Sequence, residues 1–400
     1  VTARLRVARR TRVLVVVLAL LAAVAVVVVG IVLDRRPGPG PTPVTPTPTA
    51  GATTPEESPE PTATTPPGPV DVTVTDRTEV VDDLAAPWGM ALLPGGDLLV
   101  TLRDTGTLVR VAPDGTTTPV TGPGADALAR ETVHRGESGL LGVAVAPGTS
   151  DIVVQRTGTD GNAVLRGTLT GATLGELTTL LDGIASAQFH DGGAVAFGPD
   201  GMLYVATGDA TEPRTAQDPD SLNGKILRLT PEGEPAPGNP VPGSPVWSLG
   251  HRNVQGLGWD ADGRMFASEL GQDTFDELNQ ILPGRNYGWP EVEGTGGTDD
   301  GFEDPLVTWT TDEASPSGLA VTDEGVYVAA LRGERLWRVD LAELAEGAAT
   351  PTVVLDGLGR LRGVLAEPGG TLLVSSSATD GRGEPRAGDD RVWRLTLGRS

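Results

Sequence analysis

A short unit recurs six times along this chain: a Gly-containing turn followed at once by a run of apolar and β-branched residues. It reads Pro94-Gly95-Gly96-Asp97-Leu98-Leu99-Val100, then Pro147-Gly148 ahead of Ile152-Val153-Val154, then Pro199-Asp200-Gly201-Met202-Leu203-Tyr204-Val205. It returns as Asp262-Gly263-Arg264-Met265-Phe266, as Glu324-Gly325-Val326-Tyr327-Val328 and as Pro368-Gly369-Gly370-Thr371-Leu372-Leu373-Val374. Gly96, Gly148, Gly201, Gly263, Gly325 and Gly370 follow one another at intervals of 52, 53, 62, 62 and 45 residues. Each unit is the centre of a hairpin. Six of them at roughly 50-residue spacing predict an all-β fold, a six-bladed propeller with four-stranded blades around a central channel. Radial closure would leave no long exposed sheet edge; a sandwich or an open solenoid is the alternative. With 55 Gly and 34 Pro in 400 residues, the composition supplies turns for many short elements. Polar residues just after each repeat strand are where loop-borne chemistry at a channel mouth is expected.

The segment before the repeats is organised differently. Residues 1–12 carry Arg4, Arg6, Arg9, Arg10 and Arg12, and an uncharged apolar run follows from Val13 to Leu33. As a helix, that run would extend about 31 Å, enough to cross a bilayer core. The excess of positive charge ahead of it predicts a cytoplasmic N-terminus and an extracytoplasmic body on a single-pass cell-membrane anchor. A signal peptide cleaved near Ala23-Val24-Ala25, releasing a secreted body, is the alternative. Residues 34–69, rich in Pro and Thr, cannot bury a core and read as a disordered linker. The propeller is then assigned to residues 70–400.

Charge and cysteine content exclude several function classes. Beyond position 36, 23 basic residues face 52 acidic ones, a net charge of −29, which disfavours binding to nucleic acid. The chain has no cysteine, so a disulfide framework, a thiolate metal site and a cysteine nucleophile are ruled out.

Four stretches concentrate chemistry. Phe189-His190-Asp191-Gly192-Gly193 holds one of only three histidines; a neutral imidazole there can take a proton from a hydroxyl, and Asp191 is placed to orient it. A capped loop histidine is the bland alternative. The loop Gly250-His251-Arg252-Asn253-Val254-Gln255-Gly256 offers a cation and amide donors suited to an anionic, carbonyl-bearing ligand, or else a turn network between blades. From Ser268 to Glu277, carboxylates and Gly-bent carbonyls are hard oxygen ligands of the kind that hold Ca²⁺, without the spacing of an EF-hand. A solvated acidic loop would look the same. Arg332, and then Arg360 and Arg362 on one face of a strand, suggest a small polyanionic ligand or surface salt bridges.

With the repeats, these stretches occur in an order that resembles the soluble quinoprotein glucose/sorbosone dehydrogenases and related bacterial aldose dehydrogenases. The resemblance runs from about Asp82 to Leu397. It is carried by Ala86-Pro87-Trp88-Gly89-Met90, Gly139-Leu140-Leu141-Gly142, Phe197 to Gly201 with Thr207-Gly208-Asp209, Leu222-Asn223-Gly224-Lys225, the Gly-His-Arg-Asn loop, Asn286 to Pro290, and Ser315 to Leu319. It implies oxidation of an aldose at its anomeric carbon to a lactone, with pyrroloquinoline quinone (PQQ) taking the hydride and an electron acceptor of unknown identity following. By resemblance, His190 is the general base. Glu137, Arg252, Asn253, Trp309, Arg332, Arg360 and Arg362 meet PQQ; Gly271 and Gln272 offer carbonyls to its Ca²⁺; Glu277 and the Tyr287 carbonyl serve a second Ca²⁺. The chain departs from the family at three places: Glu137 stands where glutamine is frequent, Gln272 where proline is, and Arg332 where lysine is. A carboxylate at Glu137 beside a tricarboxylate cofactor requires a compensating cation. A non-catalytic carbohydrate-binding propeller and a propeller lactonase or hydrolase are the competing functions.

Overall fold

The computed structural model describes residues 71–347 and 349–399. The apolar run 13–33 and the linker 34–69 lie outside the described residues. Among the described residues, no helix is long and apolar enough to cross a membrane.

Six antiparallel sheets, one per repeat, make a six-bladed β-propeller. Their innermost strands are Pro87–Leu92, Leu140–Val145, Val195–Phe197, Val254–Trp259, Pro316–Thr322 and Leu361–Ala366. Each packs against the inner strand of the next blade, and the sixth returns to the first. Blade 6 takes its outermost strand from the other end of the domain: Val72–Val81 pairs with Val392–Arg399 and closes the ring.

All six repeat glycines fall at one place, the turn joining an innermost strand to the second strand of its blade. At Gly201 the backbone has φ 75°, a left-handed conformation that glycine adopts without strain, and its N–H closes the turn onto the Gly198 carbonyl. The second strands read as unbroken apolar runs because both of their faces are buried. In blade 3, Leu203 and Val205 enter the core shared with blade 2, whereas Tyr204 enters the core shared with blade 4. In blade 5, Val326 and Val328 pack towards blade 4 and Tyr327 towards blade 6. The period-2 alternation of a strand thus sorts neighbouring residues into neighbouring blade interfaces. Six core clusters result, one at each interface.

The innermost strands also share a feature that shapes the channel. In five blades their pairing slips register around a glycine: Gly89, Gly142, Gly256, Gly318 or Gly363. At Gly142 a Cβ would lie 2.3 Å from the Gly193 carbonyl oxygen of the next blade, so adjacent inner strands meet backbone to backbone. A bulge of this kind re-aims the residue beside it. The residues just before four of these glycines, Trp88, Gln255, Ser317 and Arg362, line the axial cavities.

Candidate active site

At the mouth where the inner strands begin, a cavity of about 550 Å³ opens. Its floor is built from matching positions of four blades. Arg362 Nη1 donates to Gln255 Oε1 at 2.9 Å and to Ser317 Oγ at 3.2 Å, and its guanidinium lies 5.8 Å from the Trp88 ring centroid. Beyond this floor an apolar channel of about 360 Å³ continues along the axis. His190, Glu137, Arg252, Asn253, Gly271, Gln272, Arg332, Arg360 and Arg362, all singled out from the sequence, line the cavity.

His190 sits on the loop ahead of blade 3 with φ 64°. Its Nδ1 is 2.8 Å from Asp209 Oδ1. Asp209 is fully buried, and its oxygens also accept from the Thr211 N–H at 2.7 Å and from Trp289 Nε1 at 2.8 Å. Each of these partners is a donor, so the Asp209 oxygens act as acceptors. Asp209 therefore accepts the Nδ1 proton, and Nε2 is left as the basic nitrogen of the ring. The sequence expectation for the orienting partner needs correction, because Asp191 does not bond His190. The positive φ at His190 sends the next side chain the other way, to Asn162 Nδ2 at 3.0 Å and the Ala187 N–H at 3.3 Å. Burial there pushes the Asp191 carboxyl up to about 7.

Glu137 ties loops of four blades together. Its Oε2 accepts from the His190 backbone N–H at 3.0 Å and from Asn253 Nδ2 at 3.4 Å. Its Oε1 pairs with Arg382 at 2.8 Å, and the Arg382 guanidinium lies 5.4 Å from the Phe189 ring centroid. Arg382 is the compensating cation that Glu137 requires, a partner that no sequence motif marked. Asn253 also accepts the Gly192 N–H at 3.0 Å, so it fixes the histidine loop from behind. Arg252 stacks on Trp289 at 5.4 Å and donates to the Leu270 carbonyl at 3.2 Å.

Six arginines line the cavity against three carboxylates, Glu137, Asp276 and Asp380. Asp380 receives Arg360 at 2.9 Å and Arg362 at 3.4 Å. Burial would raise its carboxyl, but the two guanidinium groups outweigh that and hold it below the usual range. Arg332 is more exposed and pairs with Asp312 at 2.6 Å. Burial pulls the Arg362 guanidinium down to about 10, against the pull of Asp380. Among the described residues, the buried Nε–H groups of Arg252, Arg360 and Arg362 find no hydrogen-bond partner. Six guanidinium groups against three carboxylates leave a surplus of positive charge around one cavity, which fits a ligand bearing several carboxylates, as PQQ does.

The loop after the second strand of blade 4 brings Gly271 and Gln272 to the cavity wall. Neither of their carbonyls accepts a hydrogen bond from the described residues, so this pair of hard oxygens is available to Ca²⁺. Among the described residues no group of three His, Cys, Asp or Glu side chains is arranged to hold a metal; backbone carbonyls would have to contribute. Glu277 and Tyr287 stand apart from the cavity in a small recess shared with Glu269 and Glu293. Burial and the neighbouring Glu269 push the Glu277 carboxyl well above its ordinary range, a cost that a cation or a proton would relieve.

The expectation for Trp309 also needs correction. It is absent from the cavity wall and lies in the core between blades 4 and 5, where its ring centroid is 5.9 Å from that of Trp337. As an inward-facing residue of the outermost strand of blade 4, it serves the blade interface.

A six-bladed propeller with a carboxylate-held histidine and an arginine-lined mouth is an architecture suited to taking a proton from a substrate beside a bound polyanion. The chain belongs to the glucose/sorbosone dehydrogenase family, which matches residues 84–384. The solved PQQ-bound form of the aldose sugar dehydrogenase from Streptomyces coelicolor is 48% identical, covers 84% of this chain and 100% of its own, and superposes with a TM-score of 0.77. The aldose sugar dehydrogenase of Escherichia coli is 30% identical over 283 residues, 62% of this chain and 73% of that one. Quinoprotein glucose dehydrogenase B of Acinetobacter calcoaceticus is 29% identical over 258 residues, 55% of this chain and 53% of that one.

Proposed function

We propose that this protein oxidises an aldose at its anomeric carbon to the lactone, with PQQ and Ca²⁺ as cofactors. The observation that carries the reading is the hydrogen-bonded pair His190–Asp209 at 2.8 Å, on the wall of a cavity with six arginines. His190 Nε2 takes the proton of the C1 hydroxyl, and Asp209 stabilises the imidazolium that forms. As the C1–O bond gains carbonyl character, the C1 hydrogen leaves as hydride. When bound, PQQ supplies the acceptor for that hydride, and Ca²⁺ polarises it as a Lewis acid. Arg252, Arg332, Arg360 and Arg362 would hold the PQQ carboxylates, and the carbonyls of Gly271 and Gln272 would hold the ion. In this reading Glu277 and the Tyr287 carbonyl serve a second ion. The propeller works outside the cytoplasm, held by residues 13–33, and passes its electrons to a separate acceptor.

The test is dye reduction by the full chain, loaded with PQQ and Ca²⁺, against a panel of aldoses. Sugar-dependent reduction that requires PQQ and falls by at least about 100-fold in His190→Ala is expected. Calorimetry showing no PQQ uptake, together with no reduction for any sugar, would overturn the reading.

A further inference from the structure

Six consecutive backbone N–H groups, those of residues 270–275, are all hydrogen-bonded within the protein. Leu270 donates to the Asn253 carbonyl at 3.1 Å and Gly271 to Asp276 Oδ1 at 2.9 Å. The next four, Gln272, Asp273, Thr274 and Phe275, all donate to one atom, Glu293 Oε1, at 2.6, 3.0, 3.1 and 3.3 Å. Four amides converging on one oxygen form an anion nest, and this nest is filled by a side chain from a distant part of blade 4. The loop is also too tight for a side chain at its first glycine. A Cβ on Gly271 would lie 1.7 Å from the Phe275 carbonyl oxygen and 2.7 Å from Glu293 Oε1.

A peptide plane carries its N–H and C=O on opposite sides. Pinning the N–H groups of Gln272 and Asp273 behind the loop therefore also fixes the carbonyls of Gly271 and Gln272, which belong to those same two planes. These are the carbonyls without a hydrogen bond on the cavity wall. We infer that Glu293 is the positioning residue that presents the Gly271 and Gln272 carbonyls to the cation of the cofactor site. The inference rests on the proposed function. Glu293 touches neither cofactor nor substrate; it acts through the loop. By the resemblance described above, glutamine at position 272 of this chain stands in place of a proline. A proline would fix the backbone dihedral covalently and has no N–H. Here the Gln272 N–H makes the shortest of the four bonds to Glu293, so the carboxylate does for this loop part of what a ring does elsewhere.

The test uses the full chain and its Glu293→Ala and Glu293→Gln variants. Hydrogen exchange on the metal-free proteins reads the nest alone: amides 272–275 should be protected in the parent and exchange at least about tenfold faster in the alanine variant. PQQ uptake, followed by absorbance at graded Ca²⁺, reads the cation bound with the cofactor. The Ca²⁺ concentration for half-maximal uptake should rise about 10–100-fold in Glu293→Ala. In Glu293→Gln an acceptor oxygen remains at the same reach, so uptake should stay within about threefold of the parent. A glutamine variant as impaired as the alanine one would show that charge, not positioning, is what Glu293 provides, and would overturn the inference. So would an alanine variant indistinguishable from the parent. A parent that takes up no PQQ at any Ca²⁺ concentration would overturn the proposed function and this inference with it, whereas a binding parent with an unaffected alanine variant overturns the inference alone.

Discussion

Arg382 and Glu137 form a 2.8 Å ion pair at the cavity mouth, joining a loop of blade 6 to the loop ahead of blade 2. The side chain of Arg382 is 53% exposed and that of Glu137 only 17%, so the arginine is the replaceable partner. Removing it leaves a largely buried carboxylate facing the place where an anionic cofactor is proposed to sit. Arg382→Ala is expected to weaken PQQ binding about 3–10-fold. Glu137→Gln should strengthen it or leave it unchanged, and the double variant should recover most of the loss. A double-mutant cycle from PQQ titrations checks this, with a coupling of about 1 kcal/mol expected for a half-exposed pair. Additive effects would show that the two side chains act separately on the cofactor.

Asp209 gives a sharper expectation. An asparagine at this position is isosteric but can present an N–H to His190 Nδ1, which favours the wrong tautomer. Turnover by Asp209→Asn should fall about 10²–10⁴-fold while PQQ binding changes little. Parallel steady-state assays and PQQ titrations separate the two effects. A loss confined to PQQ binding would place Asp209 outside proton transfer.

The only lysine of the chain braces the segment between Asp209 and blade 3's third strand. Lys225 is fully buried, and its Nζ donates to the carbonyls of Asn223, Ala216 and Thr215 at 2.8, 3.0 and 2.7 Å. Burial pulls its ammonium down to about 8. Lys225→Met keeps the stem and removes the donors; the Thr215 and Ala216 carbonyls retain the Asp218 and Gly250 N–H groups, and the buried Asn223 carbonyl loses its donor. A loss of about 1–3 kcal/mol is expected, readable as a lower denaturant midpoint with an unchanged m-value. A change below about 1 kcal/mol would mean that water reaches those carbonyls.

Some of this was open to reading from the chain alone and some was not, for physical reasons. The second strand of each blade is buried on both faces, so Leu98-Leu99-Val100 and Leu372-Leu373-Val374 advertise themselves as continuous apolar runs beside a glycine turn, and the blades follow from them. His190, the arginines and the Gly271–Gln272 loop stood out because such residues are uncommon among the repeats and match the family blocks. Their partners did not stand out. Asp209 reaches His190 only because His190 has a left-handed backbone, which no local pattern at a non-glycine residue announces; chain adjacency pointed to Asp191 instead. Arg382 lies in a long blade 6 loop whose course is set by closure of the ring. Trp309 shows the reverse error. The resemblance assigned this aromatic to the cofactor, yet alternation along its strand turns it into the core.

Asp191 gives the last prediction. Its carboxyl is buried, with one oxygen held by Asn162 and Ala187 and the other, Oδ2, without a partner among the described residues. Burial is the largest influence raising it, from an ordinary 3.8 to about 7, and the nearby Glu137 adds to the rise. The folded state thus binds a proton that the unfolded chain releases above about pH 4. Between those two values the folded state holds more protons than the unfolded one, so the contribution of Asp191 to stability is full below about pH 4 and is lost as pH rises to about 7. Asp276, raised to about 6 chiefly by burial, acts with the same sign. Asp191→Asn keeps an oxygen for Asn162 and the Ala187 N–H but has no charge to bury. Melting temperatures measured from pH 4 to pH 8 should therefore decline less in Asp191→Asn than in the parent, with the variant gaining about 2–4 kcal/mol relative to the parent across that window. Parallel curves for the two proteins would mean that Asp191 is already ionised at the acid end, and that its unpartnered oxygen is solvated within the fold.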